Sequence, residues 1–139
     1  SIRRQRQMCI RDRLLAGWDE LAHRGRIFSY DGTGGQTEEH SHACVGSGAL
    51  FASDVLNEGY RTGMDRDESV ALAIRALDAA ISDDSPSSLS GPDLSRGLYP
   101  TVACADSRGV TRMPTEEVAV LAKWLADQVT AESDREEAQ

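Results

Sequence analysis

The chain has 139 residues, 40% of them apolar, which is room for one domain and enough apolar side chain to build a core. Its net charge is −8, but residues 1–13 hold five arginines against one aspartate, a local +4, so the remainder carries −12. An acidic folded part excludes a basic nucleic-acid-binding face, and no apolar run approaches the ~18 residues of a membrane-spanning helix.

Residues 1–13 show no period and their charge opposes the rest of the chain. They read as translated adapter sequence or as a basic arm, and are set aside from functional reasoning. They are basic without an apolar stretch behind them, so they do not read as a secretory signal. Cys9, Cys44 and Cys104 have neither paired nor Cys-x-x-Cys spacing, the pattern of reduced thiols in a cytosolic protein.

Leu14 to Trp18 predicts a short buried strand, and Arg26 to Tyr30 a second one rich in aromatic and branched residues. Asp31-Gly32-Thr33-Gly34-Gly35 is the turn after it; no Lys-Ser/Thr and no helix follow, so it does not read as a phosphate cradle. A third strand is expected from His42 to Val45. His40 and His42 would alternate onto one face of it, but no further metal ligand lies nearby in sequence, so they read as a solvated edge. Ala49 to Tyr60 predicts a helix whose stripe is Ala52, Val55, Leu56 and Gly59. The next helix starts at Asp65, paired with Glu68 as a capping box, and buries Val70, Ala73, Ile74, Leu77 and Ile81. Its alanines, Ala71, Ala76, Ala79 and Ala80, allow a neighbour to approach closely.

Ser82 to Asp93 is a loop of Ser, Asp, Pro and Gly. Leu98 to Cys104 is apolar on both alternations and predicts a strand wetted on neither face. Asp106-Ser107-Arg108-Gly109 turns into a return strand, Val110 to Met113. Thr115 opens a last helix with the stripe Val118, Leu121, Leu125 and Val129, and 131–139 reads as an acidic disordered tail. Strands, two helices, strands and one helix make an α+β protein with helices over an antiparallel sheet.

Two motifs go further than periodicity. The strand-turn Gly25 to Gly35, followed by Val45-Gly46-Ser47-Gly48 before a helix, and the segment Gly91-Pro92-Asp93-Leu94-Ser95-Arg96-Gly97-Leu98-Tyr99-Pro100-Thr101-Val102, together resemble the β subunit of the bacterial 20S proteasome, actinobacterial type. The resemblance runs from about Leu14 to about Thr130 and corresponds to the C-terminal part of that subunit. It implies a four-layer αββα sandwich of the N-terminal-nucleophile hydrolase type, truncated at its N-terminus. It also implies a threonine endopeptidase whose nucleophile is exposed by propeptide cleavage. The free α-amino group of that threonine, with a pKa near ~8, serves as its base.

No residue here matches the nucleophile. Thr33, Thr37, Thr62, Thr101 and Thr111 are internal, and Lys123 matches no catalytic position, so residues 1–139 alone are expected to lack peptidase activity. Three supporting positions do match. Ser47 matches a serine that hydrogen-bonds near the threonine amine, Asp84 an aspartate that orients that serine and the threonine backbone, and Ser87 a hydroxyl of the same cluster. The loop Ser85 to Gly91 is about two residues longer than the family pattern, so Ser88 or Ser90 stands as an alternative to Ser87. The partners implied are other β subunits in a seven-membered ring, α-subunit rings, an ATP-dependent unfoldase and tagged, unfolded polypeptide substrates in the cytoplasm. No cofactor or metal is implied. Two other readings stand beside this one: a non-catalytic ring subunit, and a small-molecule amidohydrolase of the same superfamily.

Overall fold

The computed structural model describes residues 13–82 and 97–138. Three strands come first: β1 (Arg13–Asp19), β2 (Arg24–Tyr30) and β3 (Gln36–Glu39), an antiparallel sheet in the order β1-β2-β3. The two predicted strands are present, but the first, expected buried, is exposed from Arg13 to Ala16 and half-buried beyond, because β1 is an edge strand. Their register pairs Arg13 with Tyr30 and Asp19 with Arg24, which sets Leu15 opposite Phe28. The β1–β2 turn is fixed by Asp19, whose Oδ1 accepts the backbone N–H groups of Leu21 at 3.0 Å and Ala22 at 3.1 Å.

Across this sheet Arg26 joins all three strands. It donates from Nη1 to Asp19 Oδ2 at 2.8 Å and from Nε to Glu38 Oε1 at 2.9 Å, and its guanidinium lies 4.8 Å from the Phe28 ring centroid. Bonds from the Ala22 amide and from Arg26 hold the Asp19 carboxyl below its ordinary pKa, and Arg26 does the same to Glu38.

The third strand is not where the sequence placed it. Residues 42–45 are irregular, and the strand is Gln36–Glu39. The turn decides this. Asp31 Oδ1 accepts from the Thr33 hydroxyl at 2.7 Å, the Gly35 N–H at 2.8 Å and the Thr33 N–H at 2.9 Å. A Cβ on Gly35 would come within 2.5 Å of Asp31 Oδ2, so a larger residue there would push the carboxylate out of these bonds. So tight a turn makes Tyr30 and Gln36 the first pair, and the pairing is spent by Ile27 and Glu39. His42 therefore alternates with nothing; its ring meets Tyr60 edge-on at 5.7 Å.

Two helices follow, α1 (Ala49–Gly59) and α2 (Arg66–Ser82). The capping box at the start of α2 is formed reciprocally: the Glu68 N–H donates to Asp65 Oδ1 at 2.8 Å and the Asp65 N–H to Glu68 Oε2 at 3.4 Å. The buried face of α2 is wider than one stripe. Val70, Ala71, Leu72, Ile74 and Ala76 are buried, whereas Ala73 and Leu77, expected inside, are exposed.

The second sheet is a hairpin of β4 (Ala103–Asp106) and β5 (Gly109–Arg112), with β4 lying against β1 and β2. The predicted strand from Leu98 begins five residues late. Leu98 makes only an isolated bridge; Pro100 has no N–H to donate, and regular pairing resumes past the Val102 carbonyl, which accepts from the Met113 N–H at 2.8 Å. Tyr99, Val102 and Cys104 pack half-buried on the core, while Leu98, Thr101 and Ala103 face outward. The strand is therefore wetted on one face, against expectation.

The last helix, α3, runs from Thr115 to Glu137. It passes through the segment read as a disordered tail. Residues 131–137 contain no Gly or Pro and include Ala131 and three glutamates, all good helix formers, and Arg135 lies favourably in the last turn. The core joins α2 to α3 and the hairpin: Val70, Ala71 and Ile74 meet Met113, Val118, Ala122 and Leu125. Val129, the last member of the predicted stripe, has its side chain outside the described set. Among the described residues no helix is long and apolar enough to cross a membrane.

Outside the core, Leu15 (57% exposed), Leu50 (70%), Val110 (72%) and Val120 (67%) leave apolar surface in water, and among the described residues β1 and β3 are the edges of their sheet. Residues 1–139 on their own should therefore self-associate. Light scattering after size exclusion should give a mass above 15.1 kDa, and a monodisperse monomer would contradict this. A second expectation concerns Asp31, whose carboxyl is held below its ordinary pKa by the Thr33 hydroxyl and then by the Gly35 and Thr33 N–H groups. Because the folded pKa is the lower one, its contribution is complete above the ordinary 3.8 and is lost as pH falls through the lowered value. Asp31→Ala should cut hydrogen-exchange protection at Thr33 and Gly35 roughly tenfold at neutral pH. Unchanged protection would show that the carboxylate does not hold this turn.

Candidate functional site

Ser47 is carried at the tip of a turn that becomes α1. Gly46 has a φ of +118°, a conformation that L side chains rarely adopt, and its carbonyl accepts the Ala49 N–H at 3.2 Å. The Gly48 carbonyl accepts the Ala52 N–H at 3.2 Å and opens the helix. Ser47 itself is exposed, with a hydroxyl that can both donate and accept, at the end of α1 where the helix dipole favours negative charge.

What places this turn is α2. Gly48 sits against Ala80 in the last turn of α2, closely enough that a Cβ on Gly48 would meet the Ala80 Cβ at 2.7 Å. The far end of α1 touches the same helix, where a Cβ on Gly59 would run into Leu72. Residues 72, 76 and 80 recur at four-residue spacing on one line of α2, so α1 lies along that line, antiparallel to α2. Ser47 is thus brought to the C-terminal end of α2. Asp84 and Ser87, with the alternatives Ser88 and Ser90, lie outside the described residues, as does the first half of the segment from Gly91.

Beside the turn, a polar recess of about 410 Å³ opens between the β2–β3 hairpin and α1. Val45, two residues before Ser47, is part of its wall, together with Tyr30, Asp31, Glu39, His42 and Asn57. Glu39 accepts from the Ser29 hydroxyl at 3.0 Å. Among the described residues no three His, Cys, Asp or Glu side chains gather in a way that could hold a metal ion. Two features escaped the sequence reading: the crowding of Gly48 and the carboxylate wall of the recess. A Gly-Ser-Gly before a helix hinted at the first; nothing local signalled the second, because it needs the β3 register.

Comparison with known proteins identifies the family of the chain. The family model described as proteasome subunit matches residues 1–91. That span starts at residue 1 and so takes in the basic segment that the sequence reading held apart from the family. A relative from Streptomyces griseus subsp. griseus, named proteasome subunit beta, is 36% identical over 121 residues, covering 87% of this chain and 42% of the relative. One of the same name from Stackebrandtia nassauensis is 41% identical over 114 residues, covering 79% of this chain and 40% of its own length. The chain thus spans about two-fifths of the length of these relatives. With the family model matching well over half of its residues, the chain belongs to the proteasome subunit family.

Proposed function

We propose that this chain is part of a catalytic β-type subunit of a 20S proteasome, a threonine endopeptidase that cuts unfolded, tagged polypeptide inside a closed chamber. Both relatives carry the name proteasome subunit beta. The observation that carries the reading is the seating of Gly46-Ser47-Gly48 on the last turn of α2, which holds an exposed hydroxyl at a built position in a chain of this family. In the complete subunit an N-terminal threonine supplies hydroxyl and amine. Its amine, with a pKa near ~8, takes the hydroxyl proton as the oxygen attacks the substrate carbonyl. Ser47 hydrogen-bonds beside that amine, and Asp84 and Ser87 orient the pair. The fold completed by the rest of the subunit is the αββα sandwich. Its partners are identical β subunits in a seven-membered ring, α rings above and below, and an ATP-dependent unfoldase in the cytoplasm. The exposed apolar residues on β1, β5 and α3 support burial of these surfaces in a larger body.

The test is turnover of a fluorogenic peptide by the complete subunit assembled with its α partner. Ser47→Ala should lower kcat roughly 10- to 100-fold with KM little changed, as for loss of a group that assists proton transfer. An unchanged kcat would remove Ser47 from the site. An assembled wild-type particle without inhibitor-sensitive turnover would favour the non-catalytic ring subunit.

A further inference from the structure

The two glycines flanking Ser47 are there for different reasons, and the difference assigns a role to one of them. Gly46 is glycine for its backbone: its φ is +118° and a Cβ there would meet nothing within 4 Å. Gly48 has φ −94° and ψ 9°, which other residues adopt, so conformation does not require glycine. Space does. A Cβ at Gly48 would lie 2.7 Å from the Ala80 Cβ, 3.1 Å from the Ala80 carbonyl oxygen and 3.3 Å from the Ala80 Cα. None of these atoms belongs to a flexible side chain, and Ala80 is fixed in the last turn of α2, so a methyl group at 48 forces the start of α1 away from α2. Gly59, at the other end of α1, is also crowded, but its neighbour is the far end of the Leu72 side chain, which can turn aside.

We propose that the Gly48–Ala80 contact is a gauge that fixes how far Ser47 stands from the last turn of α2, and that Gly48 is therefore a positioning residue for the hydroxyl of Ser47. The inference rests on the proposed function, since it needs Ser47 to act in the site. Displacing a site group by about 1 Å is enough to cost up to roughly 100-fold in rate while leaving substrate binding nearly intact.

The experiment uses the complete subunit in its assembled particle and reads kcat and KM with a fluorogenic peptide. Gly48→Ala should lower kcat about 10- to 100-fold with KM within about twofold. Gly59→Ala, which loads the same helix pair at its far end, should leave kcat within about twofold. Adding Ala80→Gly to Gly48→Ala removes the 2.7 Å clash and should recover most of the lost rate. A Gly48→Ala particle with wild-type kcat would overturn the proposal, as would a double variant no faster than the single one. If the single variant does not assemble, the double variant carries the test: assembly with near-wild-type kcat supports the gauge. Assembly with kcat still down tenfold, or failure of both variants to assemble, refutes it, because the contact would then serve the fold and not Ser47. Ser47→Ala separates this inference from the reading beneath it. If that variant is slow while Gly48→Ala is not, only the gauge falls; if Ser47→Ala is as fast as wild type, the role of Ser47 itself falls.

Discussion

Among the largest side chains of the core, Ile74 of α2 and Val118 of α3 are withdrawn almost wholly from water, each 1% exposed. Burial of side chains this size contributes about 1.5–3 kcal/mol each, and here it fixes α2 against α3. Met113 and the half-buried Tyr99, Val102 and Cys104 bring the second hairpin to the same cluster. The opposite line of α2, Leu72 to Ala80, receives α1. The position of Ser47 therefore depends on a chain of contacts that begins in the core: Val118 and Ile74 place α2, α2 places α1, and α1 carries the turn. Arg66, at the head of α2, adds a polar tie by donating to Glu117 of α3 at 3.2 Å. Both ends of the ion pair are about half exposed, so it adds little stability beside the apolar contacts.

The sheet is organised by a different kind of force. Its strands bury few side chains fully, and its turns are set by two aspartates that accept several N–H groups each, Asp19 after β1 and Asp31 after β2. Arg26 then ties β2 to the end of β1 and to β3. All these acids keep their charge because the charged form is the one that is hydrogen-bonded. The first sheet is thus held by local, polar, pH-sensitive bonds and the helices by apolar contacts between distant residues.

This division explains what could be read from the chain. Local signals were legible: the Asp65–Glu68 capping box, the Asp31 turn, the hairpin at Asp106–Gly109 and the stripe of α3 through Leu125 all depend on residues within a few positions of one another. Burial that depends on a partner was not. Ala73 and Leu77 fit the period of α2 yet face out, because α1 and α3 approach α2 along other lines and bury Leu72 and Ala76 instead. The third strand was misplaced because its start is dictated by turn geometry, and the strand before β5 because Pro100 interrupts an otherwise apolar run. The helical end of α3 was missed because acidic composition was weighed over the absence of any helix-stopping residue. For the proposed site, the turn that carries Ser47 was legible from its flanking glycines. The steric reason for Gly48 was not, since Ala80 lies 32 positions away and is one of several alanines in its helix.

The central claim is that this chain supplies the serine side of an N-terminal-nucleophile site and holds it by packing α1 on α2. The most direct measurement is a structure of the complete, processed subunit in its ring, with the distance from the Ser47 hydroxyl oxygen to the N-terminal amine read from it. The account predicts about 3 Å, a hydrogen bond, with Gly48 still against Ala80. A separation beyond about 5 Å, or a chain whose processed N-terminus lies elsewhere, would contradict it.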